Sequence, residues 1–568
     1  MDNKRYMLAL ALCMGVIIVW SYFVLPPPKP SAPGSARVPP ATEAPGSDAK
    51  ATLPAQLASA AEPSSVSEVP AKPSESVAPR EEAEDEAQKT VETSLYRIRI
   101  GNRGGRILGW ELKTYLDDQG KPLQLVSIAS PKIQRFPLDL EFDDPKLSER
   151  IRASLFVLDV SEVGQGQTRV SFRYSDGSGT TVSKTLLLSE TSYVSQLEVQ
   201  ARSGAESLHP ELVWGAGFGP ETGLPPSSGD RNEITRLVSF HEGKVVRASR
   251  DDFKKTKALD RTGPFLWAGI EDHYFAALVL PSQGAEVLRL RMDPVIEEGR
   301  EKQFLSLTMR GPETRYQVYV GPKDRELMAS LSLGIERIVD YGFFGSIAQA
   351  LFFLLRAINR ITGNWGFSII ILTFVIRLAF FPLTHKGSVS MRRTQEKMKK
   401  LQPRIESIKK KYRSLKKDMA NRQKMNEEIM ALYGKEGMNP MAGLTGCLPL
   451  LLQLPILWGF YNLLVNSIEL RHAPFLLWIS DLAKKDPYYV TPVIMGITML
   501  VQQTLTGSSI PDPMQRRIMM FMPLMFTWFF KDLPSGLVLY WLVNNILGIG
   551  QQYLINAQVA REGSRSTG

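Results

Sequence analysis

The residues Asn364-Trp-Gly-Phe-Ser-Ile-Ile-Ile-Leu-Thr-Phe-Val-Ile-Arg377-Leu-Ala-Phe-Phe-Pro-Leu-Thr384 constrain this chain more than any others. The run is apolar and long enough to cross a bilayer as a helix, with one guanidinium set inside it. At 1.5 Å of rise per residue, Arg377 lies roughly 20 Å from Asn364 and about 11 Å from Thr384. An arginine at that depth costs ~2.5–3.5 kcal/mol on insertion scales and cannot escape by losing its proton. Two readings follow: the side chain bends back to the nearer interface, or it faces a hydrated cavity within the membrane.

The chain has 568 residues and a mean hydropathy of −0.11, too polar for a protein lying wholly in lipid. A soluble part joined to a membrane part is expected. The net charge is +10, and residues 385–437 hold sixteen Lys/Arg against six Asp/Glu, which is the whole excess. Such a local excess suits anionic lipid, RNA or an acidic protein surface. Cys13 and Cys447 both sit in apolar runs, so no disulfide framework and no thiolate metal site is expected.

In chain order, residues 1–25 place Lys4-Arg5 before about twenty mostly apolar residues. This reads as an uncleaved transmembrane anchor with its basic end in the cytoplasm; a cleaved leader would have a shorter apolar core and a small-residue cleavage site. Leu12 before Cys13 excludes a lipoprotein reading. Residues 26–93, rich in Pro, Ala, Ser and Glu, read as a disordered tether. Residues 94–323 switch to a period of two, as in Arg169-Val-Ser-Phe-Arg-Tyr174, Thr180-Thr-Val-Ser-Lys-Thr-Leu186 and Thr314-Arg-Tyr-Gln-Val-Tyr-Val320. Short alternating runs with turns such as Asp176-Gly177 between them predict an antiparallel β-sandwich, placed outside the cytoplasm by the anchor. His209, His241 and His273 fall here without metal-ligand or nucleophile spacing.

Residues 324–362 read as an interfacial helix region, with Arg356 and Arg360 four apart beside a broad apolar face. Residues 363–556 read as a helical membrane core that includes a helical hairpin over 385–437. In that hairpin Met398, Leu401, Ile405, Ile408, Tyr412 and Leu415 form a seam spaced 3, 4, 3, 4, 3. Sixteen basic residues fix the hairpin in the cytoplasm. Apolar runs at 446–468, 490–506, 518–530 and 536–555 complete six crossings, and residues 557–568 form a short cytoplasmic tail. The polar groups inside these runs include Gln453, Gln502, Gln503, Thr527, Asn544 and Asn545, and no acidic residue lies within them. Each amide has a default role of bonding a neighbouring helix; together with Arg377 they suit one shared wet surface.

Several motifs resemble the bacterial YidC membrane protein insertase family. They are Asn364-Trp-Gly-Phe-Ser-Ile-Ile, Arg377 with Pro382-Leu-Thr384, Met425-Asn-Glu-Glu-Ile-Met-Ala-Leu-Tyr433, Asn439-Pro440 before Cys447-Leu-Pro-Leu-Leu-Leu-Gln-Leu-Pro455, Asp512-Pro-Met-Gln515 and Pro534-Ser-Gly-Leu-Val-Leu-Tyr540. The match covers residues 363–552; the anchor, tether and outer domain fit the family's long form in order and length. The resemblance implies a five-helix core enclosing a hydrophilic groove, open to cytoplasm and lipid and sealed on the outer side. It places Arg377, Thr373, Gln453, Gln503, Tyr540 and Trp541 in contact with substrate there, Trp541 standing where many members carry a tyrosine. It likewise assigns Lys409, Lys410, Lys411, Met425 and Tyr433 to the cytoplasmic coiled-coil loop. The implied partners are nascent membrane proteins, the Sec translocon with its accessory subunits, the ribosome or targeting machinery, and the bilayer, but not DNA. The implied location is the bacterial inner membrane, multi-pass, with both termini in the cytoplasm.

The expected function is insertion and folding of newly made inner-membrane proteins, alone or beside the translocon, without catalytic residues, metal or cofactor. No Walker lysine motif is present to bind a nucleotide. The alternatives are a small-solute transporter or channel, a membrane enzyme, and a scaffold for envelope assembly. Against them stand the lack of paired repeats and the absence of acidic residues within any span.

Overall fold

The computed structural model describes residues 79–220, 235–253, 256–297, 299–312, 314–412, 419–435, 448–506 and 513–565. The expected anchor and most of the tether lie outside the described residues, as do Leu415, Asn439, Pro440, Cys447 and Asp512. The described residues divide into a small unit over 401–440 and a large one holding 77–400 and 441–568.

The large unit begins with two antiparallel sheets. A four-stranded sheet runs Gln88–Glu92, Tyr96–Gly101, Arg106–Leu116 and Pro122–Gln124. The other has fourteen strands among the described residues, with Phe275–Pro281 paired between Ala258–Glu271 and Arg315–Pro322. Alternation explains the outer strands: in Thr180–Ser189 every second residue is buried, because successive side chains point to opposite faces. Tyr96, Ile98 and Trp110 of the small sheet share one core with Phe172, Leu186, Leu197 and Val318 of the large one. This is a β-sandwich. Charges trapped inside it are paired, as where Glu271 meets Arg247 and Lys323, both at 2.7 Å.

The expected helix region over 324–362 consists of separate helical pieces. Asp324 caps a short helix Arg325–Ser330 by accepting from the amides of Glu326 and Leu327. Then Gly334 and Gly342, both at positive φ, turn the chain before α1, Gly345–Thr362. Helix α1 buries Ala348, Leu351 and Leu355. It lies close enough to Gly459 that a Cβ there would sit 3.1 Å from Ile347 Cγ2.

The apolar run and the first basic helix form one continuous helix, α2, Trp365–Lys411. Asn364 starts it, accepting from the amides of Gly366 and Phe367 while its Nδ2 donates to the carbonyls of Pro474 and Phe475. Gly366 is required because Phe475 occupies the space a Cβ would need. In the small unit, the end of α2 and α3, Met419–Lys435, are joined by Lys411 to Glu428 at 3.1 Å. There the seam residues Leu401 and Ile405 are buried, whereas Lys410 and Lys411 are exposed.

Four further helices complete the large unit: α4, Leu448–Asn466; α5, Val490–Thr506; α6, Pro513–Phe530; and α7, Ser535–Arg565. They match the expected apolar runs, but α6 and α7 are longer. Among the described residues, α2 is the one helix long and apolar enough to cross a membrane; Val490–Thr506 and Met520–Phe530 are shorter apolar helices. Large apolar side chains nevertheless face outward in quantity: Phe374, Val375 and Leu378 on α2, Val493 and Ile497 on α5, Phe521, Leu524, Met525 and Trp528 on α6. A water-facing protein does not carry so much exposed apolar surface without a partner.

The loop from Ser467 to Tyr489 closes one end of the bundle. The first amides of α7 donate into it, Ser535 to the carbonyl of Lys484 at 2.7 Å and Gly536 to that of Leu482 at 3.0 Å, so the helix start is satisfied.

Candidate functional site

A cavity of about 280 Å³ lies between α2, α4, α5 and α7. Helix α2 contributes Arg377, Thr384, Ser388, Met391 and Arg392, and α4 contributes Gln453. Helix α5 contributes Met499, Gln502 and Thr506; α7 contributes Trp541, Asn544, Asn545, Gly548, Gln551, Gln552 and Ile555. The spacing on α7 runs three to four residues at a time, a single stripe at the helical period. On α2 the positions 377, 384, 388 and 392 stand seven, four and four apart, which also keeps them on one stripe.

The polar groups of the walls are amides, hydroxyls, the Trp541 indole and two guanidinium groups, with no carboxylate; Met391, Met499 and Ile555 add apolar surface between them. Some of these polar atoms have protein partners: Gln551 Nε2 donates to Thr384 Oγ1 at 3.2 Å, and Asn545 Nδ2 to Oγ1 of Thr498, outside the lining, at 3.3 Å. Others have no protein partner among the described residues. Arg377 Nε and Trp541 Nε1 are buried donors with no acceptor. Buried donors of that kind require water or a polar ligand, and a cavity of this size and polarity accommodates either.

Arg377 reaches this space past Gly548. A Cβ at 548 would stand 2.8 Å from Arg377 Nη2 and 2.6 Å from Gln502 Nε2. The side chain therefore passes over the α7 backbone rather than returning along α2. No acidic group pairs with it among the described residues.

Of the residues expected at the site, Arg377, Gln453 and Trp541 border the cavity. Thr373 is buried and not part of the lining, its hydroxyl donating back to the carbonyl of Ile369 at 2.6 Å. Tyr540 is buried with its ring stacked on Phe460, centroids 4.9 Å apart. Gln503 is half-buried and stands outside the lining, where its neighbour Gln502 takes the place. Lys409, Lys410, Lys411, Met425 and Tyr433 belong to the basic segment and none lines this cavity. Sequence reasoning missed Thr384, Ser388, Arg392, Gly548, Gln551 and Gln552. The signal that would have found them is the polar stripe continuing at helical spacing past the apolar runs of α2 and α7.

The family model described as "60Kd inner membrane protein" matches residues 357–562, and that described as "YidC periplasmic domain" matches residues 88–354. The chain is 35% identical over 479 residues to the membrane protein insertase YidC of Geobacter sulfurreducens, covering 83% of this chain and 86% of that one. It is 34% identical over 570 residues to the protein of the same name from Citrifermentans bemidjiense, covering 98% and 100%. With that of Syntrophus aciditrophicus it shares 33% identity over 584 residues, covering 98% and 100%. From these matches over nearly its whole length, the chain belongs to the YidC family of membrane protein insertases.

Proposed function

We propose that this protein inserts newly made proteins into the bacterial inner membrane, and that the cavity around Arg377 receives the hydrophilic flank of the substrate. The observation that carries this reading is a cationic, amide-lined cavity with unpartnered donors inside a bundle whose outer faces are apolar. In such a place a flank of polar residues finds hydrogen-bond partners partway across the bilayer. A carboxylate 4 Å from a guanidinium gains about 4 kcal/mol at an effective dielectric of 20, against about 1 kcal/mol in water. The substrate's apolar helix meanwhile passes into lipid, gaining ~0.3–0.6 kcal/mol for each of its best apolar residues. That gain drives insertion, so the protein lowers a barrier and consumes no nucleotide.

The reading takes six crossings: the anchor over residues 1–25, then α2, α4, α5, α6 and α7, the two shorter apolar helices spanning a locally thinned bilayer. Both termini and the basic hairpin then lie in the cytoplasm and the β-sandwich in the periplasm, in keeping with the charge of residues 385–437. The hairpin offers a surface for the ribosome or targeting machinery, and action beside the Sec translocon is part of the same reading.

The experiment is to deplete the native protein, supply variants, and follow insertion of single-span substrates with acidic flanks. Arg377→Glu is expected to abolish insertion of those substrates and Arg377→Lys to retain much of it. Wild-type rates for Arg377→Glu with every dependent substrate would rule the charge step out.

A further inference from the structure

The cavity holds a second guanidinium. Arg392 lies fifteen residues beyond Arg377 on α2, roughly 22 Å further along the helix, and both border the same space. Its Nη1 donates to the carbonyl of Thr506 at 3.4 Å, a long bond to the end of α5. Glu396 Oε1 stands 3.9 Å from its Nε and is itself half-exposed, a pair too loose and too wet to neutralise it. Nε is buried and without a hydrogen bond among the described residues. Its guanidinium is a fork of donors suited to carboxylates, and these two contacts use little of it.

We propose that Arg392 is a second substrate-contacting cation, a receiving site for carboxylates of the hydrophilic flank on their way to Arg377. The inference rests on the insertase reading above. With the two charges at separate depths of a cavity that has no carboxylate of its own, an acidic flank meets attraction along its path, not at one point only. Arg392 therefore acts on specificity, favouring flanks that carry Asp or Glu over neutral ones.

The test uses the full-length chain in vesicles and single-span substrates that differ only in the flank, which is neutral, acidic or basic. In Arg392→Gln the ratio of acidic-flank to neutral-flank insertion is expected to fall about threefold to tenfold, equivalent to ~0.6–1.4 kcal/mol. Arg392→Lys is expected to restore most of the ratio. Arg392→Glu is expected to raise basic-flank insertion above wild type, a gain that a misfolded variant would not show. A wild-type ratio in Arg392→Gln and no gain in Arg392→Glu would overturn the proposal. So would an effect that vanishes when anionic lipid is omitted, since Arg392 would then be serving headgroups. Failure of the wild-type chain to insert any of the substrates would instead overturn the insertase reading, and the proposal with it.

Discussion

Single side chains set the electrostatics of both faces of this protein. Beyond the end of α4, Glu469 sits in the turn Ile468–Leu470, 3.7 Å from Arg356. Burial pushes its carboxyl up to about 7, helped by Asp324 and Glu326 and opposed by Arg356, whose other nitrogen pairs with Glu326. A carboxyl that binds its proton more tightly when folded contributes fully below pH 4.5, and that contribution is lost as pH rises through about 7. The full-length chain in detergent should therefore lose stability between those values relative to Glu469→Gln, by on the order of 2–3 kcal/mol at most. Thermal melts at pH 5 and pH 8 check this; parallel pH profiles for the two proteins would contradict it. At this scale the sequence was informative where a residue was out of place. Arg377 stood out because a charge interrupts an apolar run, whereas Arg392 lies among other basic residues and gave no contrast. Gln502 and Gln503 differ by only 100° around a helix, and only packing against α7 decides which one faces the cavity.

Helices here begin on side chains supplied by loops. Asp486, 1% exposed, accepts from Trp478 Nε1 at 3.0 Å, the Tyr488 amide at 3.0 Å, and the Thr491 amide and hydroxyl at 2.8 and 2.7 Å, just where α5 starts. Asp486→Ala would leave these donors unmade at a cost of about 2–4 kcal/mol, and a melting point lowered by several degrees is the expected result. An unchanged melting point would show that water replaces the carboxylate. Elements with two unlike faces were legible in the sequence: Gln167–Ser175 and Thr180–Ser189 alternate because one face is core. Phe275–Pro281 is buried on both faces, so it has no alternation to read. The union of the apolar run with the basic helix into α2 was hidden by the change of composition at His385, although nothing in the backbone stops the helix there.

Across the whole of the large unit, the β-sandwich and the helical core meet at the loop that closes the bundle. Asp118 of the sandwich accepts from Lys484 Nζ at 2.5 Å and contacts His472 Nε2 at 3.2 Å. Arg471 lies over the rings of Tyr274 and Phe275, 5.8 and 5.4 Å from their centroids. These long-range contacts join residues more than 190 positions apart, which no local pattern in the sequence reveals. They brace the closed end, while the polar stripes of α2 and α7 line the cavity. The mechanism requires that this polar interior hold water at the depth of Arg377. With Cys13 and Cys447 replaced, single cysteines at positions 377 and 378 in membrane vesicles can be timed against a water-soluble maleimide. Position 377 should react several-fold faster than position 378, whose leucine faces outward. Equal and slow reaction at both would mean a dry bundle, with no hydrated stop for a substrate to use.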